Sequence, residues 1–289
     1  MTESWLGEAA RFDLGPSLLF CPADRPERFR KAADRADAVI LDLEDAVGPD
    51  AKDAARNAVL DHPLDPASTV VRINAADTSA FDDDLRMLAQ SDYRFVMLAK
   101  AERPEQIDAI LTGVRGHAGD PGRDVRVIAL CETATGVFTA GALAAHPDAV
   151  ALMWGAEDLV ASLGGTSSRF ADGRYRDIAA HARSTVLLAA GAHGIAAIDA
   201  VHLAIDDVAG LQAEAEDASA SGFAASACIH PSQVQTIRAA YRPSAEALAE
   251  AVGVLDAARA QPGVFRHNGR MIDEPVLVHA RRVVARSGT

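Results

Sequence analysis

Acidic side chains recur in this sequence directly after short apolar runs. One apolar run ends in Glu44 and Asp45, another ends in Glu132, and a third is followed by Asp158. A carboxylate is costly to bury unless a cation or a metal ion stands opposite it. Carboxylate oxygens that converge on one place favour a hard divalent cation, and in particular Mg²⁺.

Two basic residues accompany these acids. Arg72 lies inside the apolar run VVRIN, and Lys100 closes the run FVMLAK. A guanidinium in such a run needs an anion, and its planar fork suits a carboxylate. Lys100 fits the same polar group, but an internal ion pair with Glu102 explains it equally well.

Simpler structural roles stand beside these interpretations. Asp45 and Asp158 each have the residue type that caps a following helix. His230, before Pro231, fits a hydrogen bond within its own loop better than it fits catalysis. Cys21 and Cys131 have no evident neighbouring base, so buried thiols are favoured over nucleophiles.

The elements that carry these residues alternate between apolar runs and amphipathic segments. Near-continuous apolar runs, each followed by a helical pattern, indicate a parallel sheet that is covered on both faces. Eight such runs favour a closed (β/α)₈ TIM barrel. An open doubly wound sheet usually has a glycine-rich turn after its first strand, and CPADRPERF has none. The predicted strands are 17–22, 38–45, 69–74, 95–100, 125–132, 149–155, 194–199 and 224–231.

The barrel is predicted to occupy residues 1–242, with a C-terminal helical extension over residues 243–289. Within the extension, helical patterns fill 244–261 and 276–286. The polar residues at the predicted strand ends would then meet at one mouth of the barrel, where TIM-barrel active sites lie.

Composition narrows the functional classes. The 289 residues carry a net charge of −13, which argues against a nucleic-acid surface. No apolar run approaches the roughly 20 residues that a membrane span needs, and the N-terminus lacks the pattern of a signal peptide. The three cysteines are far apart, as is typical of reduced thiols. These features predict a soluble cytoplasmic protein that binds neither nucleic acid nor a membrane, which leaves a small molecule as its expected partner.

Several motifs together resemble one known family. The chain is similar to the citrate lyase β-subunit-like branch of the HpcH/HpaI aldolase superfamily, which includes malyl-CoA and citramalyl-CoA lyases. The motifs follow the family order along nearly the whole chain. They are SLLFCPADRPERF, ADAVILDLEDAV, VRINAADT, ALCETATGV, LMWGAEDLVASLGG, AIDAVHLAIDD, CIHPSQV and GRMIDEPVLVHARRVV.

This resemblance implies a Mg²⁺-dependent lyase that forms a homo-oligomer, as a trimer or hexamer. Glu132 and Asp158 would hold the metal, and Glu44 and Asp45 would hold its water molecules from the second shell. Arg72 would clamp the carboxylate of a 2-oxo acid. We assign Lys100 and Glu132 to the same substrate site.

The resemblance also assigns a role to Asp273 in GRMIDEP. In thioester-cleaving members the corresponding aspartate comes from a neighbouring subunit and acts in acid–base catalysis. A helix N-cap before Pro275 is the simpler interpretation. The chain departs from many relatives in two places, since Thr135 replaces an arginine of ETARG and no lysine directly precedes CIHP. Both departures put the binding of CoA in question.

The favoured function is a carbon–carbon lyase that cleaves or forms a 3-hydroxyacyl-CoA, such as citramalyl-CoA or malyl-CoA. Its products would be acetyl-CoA and a 2-oxo acid. A CoA-independent class II aldolase is the nearest alternative. A thioester hydrolase or malate synthase-like enzyme, and the β subunit of a citrate lyase complex, also stay open.

Overall fold

The computed structural model describes residues 12–261 and 263–287. The prediction that no signal peptide is present concerns the N-terminal residues 1–15, and most of these lie outside the described residues. No helix in the described part of the chain combines the length and the apolar character that a membrane crossing requires.

Eight parallel strands close into a barrel, as the sequence predicts. Each strand pairs with the next along the chain, and Leu18 of the first strand pairs with Ala227 of the last. Helices follow the strands in the manner of a (β/α)₈ TIM barrel. The barrel strands are β1 (Ser17–Pro22), β2 (Ala38–Asp42), β3 (Thr69–Ile73), β4 (Phe95–Leu98), β5 (Arg126–Cys131), β6 (Ala149–Trp154), β7 (Ala196–Asp199) and β8 (Ala225–Cys228).

The barrel helices begin and end at residues suited to helix termini. α1 and α4 start on Pro26 and Pro104, where a missing backbone N–H costs nothing. α4 ends at Gly119 with φ +63°, a conformation that glycine adopts without strain. The helices are α1 (Pro26–Ala33), α2 (Lys52–Asp61), α3 (Phe81–Ala89), α4 (Pro104–Ala118), α5 (Ala134–Phe138), α6 (Ala140–Ala144), α7 (Ala156–Ser162), α8 (Asp177–His193), α9 (Val208–Ser221) and α10 (Val234–Tyr241).

The barrel interior is filled by apolar side chains from alternate positions of the strands. Ile40, Val70, Met97, Ile128 and Ile198 belong to this buried core. Because the pleat turns successive side chains to opposite faces, the other positions pack outward against the helices. The core therefore holds the strand ends in fixed positions around the mouth.

Several strands end earlier than the sequence predicts. β2 stops at Asp42, so Glu44 and Asp45 lie in the loop after it rather than in the strand. The Asp42 carboxylate accepts the backbone N–H groups of Glu44 at 2.9 Å and Ala46 at 3.3 Å. These bonds turn the chain out of the sheet. Lys100 and Glu132 likewise lie just beyond β4 and β5.

The chain divides by its contacts into two compact units, with the division between Ile237 and Arg238. The second unit contains α11 (Ala245–Ala260), β9 (Phe265–His267), β10 (Arg270–Ile272) and α12 (Glu274–Arg286). α11 and α12 are the predicted helices, and the second unit has its own apolar cluster around Val254 and Ile272. The division into domains at residue 242 stays a prediction.

Candidate active site

The loops at the carboxyl ends of the barrel strands enclose a cavity of about 430 Å³. Both polar and apolar side chains line it, with the polar ones drawn from four different strand ends. Its lining includes Phe20, Asp42, Asp45, Arg72, Leu130, Glu132, Met153, Trp154, Gly155, Asp158, Val201 and Ile229. The structure therefore brings the predicted residues Arg72, Asp45, Glu132 and Asp158 to one cavity.

Arg72 is held in place by a pair of hydrogen bonds to the carboxylate of Asp42. Its Nε donates to Asp42 Oδ1 at 2.7 Å and its Nη2 donates to Asp42 Oδ2 at 2.6 Å. Its Nη1 lies 3.1 Å from Glu44 Oε2, and the guanidinium carbon lies 4.9 Å from the centre of the Phe20 ring. The anion that Arg72 needs is therefore present within the protein.

Burial alone would lower the pKa of Arg72, but the hydrogen bonds and charge of Asp42 outweigh it and raise the pKa. The sequence analysis did not select Asp42 as a site residue. The feature of the sequence that could have pointed to Asp42 is an aspartate at the end of an otherwise apolar strand. Asp42 stands opposite Arg72 in the pairing of β2 with β3.

Glu132 is almost completely buried, with 2% of its surface exposed. Its Oε1 accepts the backbone N–H of Lys100 at 3.0 Å. Its Oε2 faces Gly155, where an added Cβ would come within 2.9 Å of the carboxylate oxygen. Burial raises the pKa of Glu132 to about 8, and the charge of Asp158 contributes in the same direction.

Lys100 lies among the acids rather than beside Glu102. Its ammonium donates a hydrogen bond to Glu44 Oε1, and it lies 3.6 Å from both Asp45 Oδ2 and Asp158 Oδ1. Burial opposes the charge, but the hydrogen bond to Glu44 and the nearby carboxylates raise the pKa of Lys100. Glu102 instead accepts a hydrogen bond from Thr133 at 2.8 Å. The alternative prediction, an ion pair between Lys100 and Glu102, is therefore wrong.

The loop that carries Glu44 and Asp45 is supported from behind by polar side chains. Lys52 donates from Nζ to the carbonyl oxygens of Leu43 at 2.8 Å and Glu44 at 3.0 Å. Asn74 donates to the Leu43 carbonyl at 3.1 Å. The sequence analysis missed Lys52 and Asn74 because their role depends on contacts with backbone atoms.

A buried acid completes this support. Asp84 of α3 is fully buried, and its Oδ2 accepts from Asn74 Nδ2 at 2.6 Å. Its Oδ1 accepts from Arg56 Nε at 2.8 Å. Both oxygens of Asp84 have donors and all three guanidinium nitrogens of Arg56 have acceptors. The network can therefore be rigid without the cost of an unpaired charge.

The donor set at the mouth suits a hard cation. Glu132 and Asp158 present carboxylate oxygens, and Mg²⁺ is commonly held by one or two carboxylates with water completing its shell. Asp158 lies in the first turn of α7, and 37% of its side chain is exposed. Among the described residues, no three Asp, Glu, His or Cys side chains gather closely enough to hold a metal ion alone. Water or substrate oxygens would therefore supply the other ligands.

Two further residues at strand ends have structural partners. Asp199 accepts from Trp154 Nε1 at 2.6 Å and from Arg183 Nη2 at 2.9 Å, so it fixes the indole that lines the cavity. His230 Nδ1 lies 2.7 Å from Ser232 Oγ, within its own loop as the sequence analysis favoured. The cysteines Cys21, Cys131 and Cys228 are buried, and they form no disulfide bonds with one another.

Asp273 lies in the second unit of the chain. It is the N-cap of α12, and its side chain accepts the backbone N–H of Val276 at 3.4 Å. The structure thus gives Asp273 the capping role that the sequence also allows. Its role in acid–base catalysis stays a prediction.

Comparison with known proteins places this arrangement among related enzymes. The sequence pattern of the HpcH/HpaI aldolase/citrate lyase family matches residues 16–231. A citrate lyase subunit beta-like protein from Mycobacterium tuberculosis is 56% identical over 274 residues, which are 95% of this chain and 96% of that protein. A (3S)-malyl-CoA thioesterase from Cereibacter sphaeroides is 32% identical over 281 residues, covering 94% of each chain.

A solved structure is also closely similar. The crystal structure of the protein CitE from Mycobacterium tuberculosis, in complex with magnesium, acetoacetate and coenzyme A, superposes with a TM-score of 0.87. The two chains are 55% identical, and the match covers 96% of this chain and 99% of the other.

Proposed function

This chain belongs to the HpcH/HpaI aldolase/citrate lyase family, and we propose that it is a Mg²⁺-dependent carbon–carbon lyase acting on a 3-hydroxyacyl-CoA. The substrate class includes citramalyl-CoA and malyl-CoA, with acetyl-CoA and a 2-oxo acid on the other side of the reaction. The observation that carries the proposal is the meeting of Glu132, Asp158 and Arg72 at one cavity. A solved relative with magnesium, acetoacetate and coenzyme A bound supports it.

Glu132 and Asp158 are the residues that would hold the metal. The buried Glu132 carboxylate is oriented by the Lys100 amide and by the close approach of Gly155. Glu44 and Asp45 would orient water molecules around the cation. Bound Mg²⁺ supplies Lewis-acid stabilisation of negative charge on the substrate oxygens.

Arg72 is the candidate for the substrate carboxylate. Its fork with Asp42 fixes the guanidinium plane, and Nη1 is the nitrogen that a substrate carboxylate would share with Glu44. Holding the acid group there would orient the carbon–carbon bond for cleavage. Lys100 contacts Glu44 and lies close to Asp158, so its ammonium can take part in the same substrate site.

Proton transfer completes the reaction. In the cleavage direction the substrate hydroxyl loses its proton, the carbon–carbon bond electrons pass to the thioester enolate, and the enolate carbon takes up a proton. We assign the acid–base role toward the acyl carbon to Asp273, contributed by a neighbouring subunit of a homo-oligomer. The position of Asp273 in a GRMIDEP motif supports this assignment.

A lyase assay of the purified chain alone tests the proposal. Malyl-CoA and (S)-citramalyl-CoA would be offered with Mg²⁺ and with excess EDTA, and glyoxylate, pyruvate, acetyl-CoA and free CoA would be measured. We expect EDTA-sensitive release of a 2-oxo acid and acetyl-CoA in equal amounts. A 4-hydroxy-2-oxo acid, which lacks CoA, serves as the matched substrate for a class II aldolase.

A thioesterase is a second candidate, because a 32% identical relative has the name (3S)-malyl-CoA thioesterase. It would release free CoA from malyl-CoA without producing glyoxylate. Turnover of the CoA-free substrate alone would instead favour the aldolase. Silence on every substrate, with Mg²⁺ bound, would favour a β subunit that needs the partners of a citrate lyase complex.

A further inference from the structure

The ammonium group of Lys100 lies where the acids of the mouth approach one another. It donates to Glu44 Oε1 and stands 3.6 Å from Asp158 Oδ1 and from Asp45 Oδ2. In the proposed function, Asp158 binds the metal directly, and Glu44 and Asp45 hold its water molecules. Lys100 therefore contacts the same carboxylates that a divalent cation would use.

The backbone of Lys100 contributes a second, independent observation. Its φ is +51°, a left-handed conformation that is unusual for a residue with a side chain. In this conformation its N–H donates to Glu132 Oε1 at 3.0 Å. Strained conformations of this kind persist where the surrounding structure enforces them, often at functional sites. One residue thus reaches Glu132 through its amide and the other acids through its ammonium.

We infer that the Lys100 ammonium and the divalent cation compete for the carboxylates of Glu44 and Asp158. Lys100 then balances the charge of these acids before the metal arrives, and it sets the affinity for the metal. The inference rests on the proposed function, since it takes these acids to be the metal site. The physical reason is that a resident positive charge makes the addition of a dication less favourable.

A positioning role for the ammonium predicts the opposite effect. If the hydrogen bond from Lys100 to Glu44 served to hold that carboxylate ready for the metal's water molecules, its removal would weaken metal binding. The sign of the change in affinity therefore separates the two roles.

Titration of Mg²⁺ into the full-length protein by calorimetry provides the test. The Lys100→Met variant removes the ammonium, with its charge and its hydrogen bond to Glu44, but keeps the backbone N–H that bonds Glu132. Lys31→Met is the matched control, because Lys31 is an exposed lysine of α1 and its loss changes the net charge equally. We expect Lys100→Met to bind Mg²⁺ at least about threefold more tightly, and Lys31→Met to bind as the wild type does.

Thermal unfolding gives a second readout that does not depend on catalysis. In EDTA, Lys100→Met should unfold at a lower temperature than the wild type, because the acids have lost their counter-ion. Saturating Mg²⁺ should raise the unfolding temperature of the variant by more than that of the wild type.

Equal or weaker Mg²⁺ binding by Lys100→Met would overturn the inference while leaving the proposed function intact. Absence of Mg²⁺ binding by the wild type would overturn the proposed function itself. If Lys100→Met does not fold, the same titration is made with Lys100→Gln. This variant keeps a polar, somewhat shorter side chain without the charge.

Discussion

The carboxyl group of Glu132 faces the cavity from a deeply buried position, with 2% of the residue exposed. Burial raises its pKa to about 8, and the neighbouring Asp158 adds to the effect. At neutral pH the free protein therefore holds a proton on Glu132 in a substantial fraction of molecules. A cation that binds to this carboxylate must displace that proton.

This displacement predicts that Mg²⁺ binding depends on pH. Below the raised pKa the proton competes with the metal, so affinity should rise by up to about tenfold per pH unit from about pH 6.5 and level off above about pH 8. Calorimetric titrations in two buffers with different ionisation enthalpies would count the released protons. Binding that releases no proton at the lower pH would show that Glu132 is already ionised or is not a ligand.

Asp158 provides a direct test of the proposed metal site. Asp158→Asn replaces a charged ligand by a neutral one, and we expect a loss of Mg²⁺ affinity of at least about tenfold with the fold retained. Glu157→Gln is the matched control, because it removes the neighbouring charge, which bonds Ser168 rather than facing Lys100. Circular dichroism and Mg²⁺ titration of both variants provide the measurement. Equal loss of affinity in both variants would mean that only the local charge matters.

Arg72 combines a structural contact with a proposed contact to substrate. Arg72→Lys keeps the positive charge but cannot form the paired hydrogen bonds with Asp42. The side chain then loses the fixed orientation that the guanidinium has. We expect KM for the 3-hydroxyacyl-CoA to rise by about tenfold or more, with a smaller change in kcat. Steady-state kinetics of both parameters provide the measurement.

Arg56→Lys is the control for Arg72→Lys. Arg56 is also a buried arginine bonded to an aspartate, but it is bonded to Asp84 and does not line the cavity. We expect it to lower stability without raising KM. An unchanged KM in Arg72→Lys would restrict Arg72 to its contact with Asp42.

Single residues of this site were predictable to different degrees. Glu132 and Asp158 follow apolar runs, so their place at the mouth follows from the barrel topology. The partner of Arg72 was not predictable in the same way, because Asp42 and Arg72 are 30 residues apart and meet only through the register of β2 with β3. Lys100 was predicted to join this polar group, but the sequence left Glu102 open as its partner, and only the structure shows that its ammonium bonds Glu44.

At the scale of elements, the loop after β2 depends on two helices that do not reach the cavity. Lys52 belongs to α2 and Asp84 to α3, and each helps to fix the backbone around Leu43. The position of the Glu44 carboxylate thus rests on helices behind the barrel. Asp84 is fully buried although it stands in a run of three aspartates, and the sequence alone does not distinguish it from its exposed neighbours.

Loss of Asp84 should therefore destabilise the protein strongly. Asp84→Ala removes the buried carboxylate that pairs with Arg56 and accepts from Asn74, and leaves Arg56 only the exposed Asp53 and a backbone carbonyl. Breaking a buried pair in this way costs about 3–5 kcal/mol in the free energy of unfolding. Asp83→Ala, on the exposed face of the same helix and paired with Arg86, should cost less than about 1 kcal/mol. Urea unfolding of both variants provides the comparison. Similar small costs in the two variants would mean that the buried network adds little stability.

The boundaries of elements show which physical signals the sequence carries. β1 was predicted with its observed limits, because an apolar run is closed there by a proline. β2 was predicted too long, since the turn after Asp42 is made by its side chain and not by a glycine or proline. The hairpin of β9 and β10 was not predicted, although Asn268 and Gly269 have the positive φ values of a tight turn.

At the scale of the whole molecule, the net charge of −13 and the acids of the mouth limit how an anionic substrate can bind. A CoA thioester brings several phosphates, so local cations must offset the overall repulsion. Thr135 is exposed and stands where the family resemblance leads us to expect an arginine, and it supplies no such charge. The affinity of this chain for CoA thioesters therefore has to be measured directly.

The assignment of Asp273 to a neighbouring subunit gives a prediction for the assembled protein. Asp273→Asn should lower kcat by about 100-fold or more while Mg²⁺ binding is unchanged, because general acid–base catalysis contributes this much. Ser244→Ala is the matched control, since Ser244 caps α11 in the same unit and its loss removes a cap but no catalytic group.

Mixed assemblies test whether the aspartate is shared between subunits. If Asp273 of one subunit serves the metal site of another, mixing Asp158→Asn with Asp273→Asn chains produces some sites with both intact residues. Refolding or subunit exchange of the two weakened variants should then raise the activity at limiting Mg²⁺ well above that of either variant alone. Lack of recovery, in mixtures shown by native mass spectrometry to contain both chains, would place Asp273 within its own subunit's site or outside catalysis. If Asp273→Asn also keeps its kcat, the N-cap of α12 is the whole role of Asp273, because the bond to Val276 already accounts for an aspartate at this position.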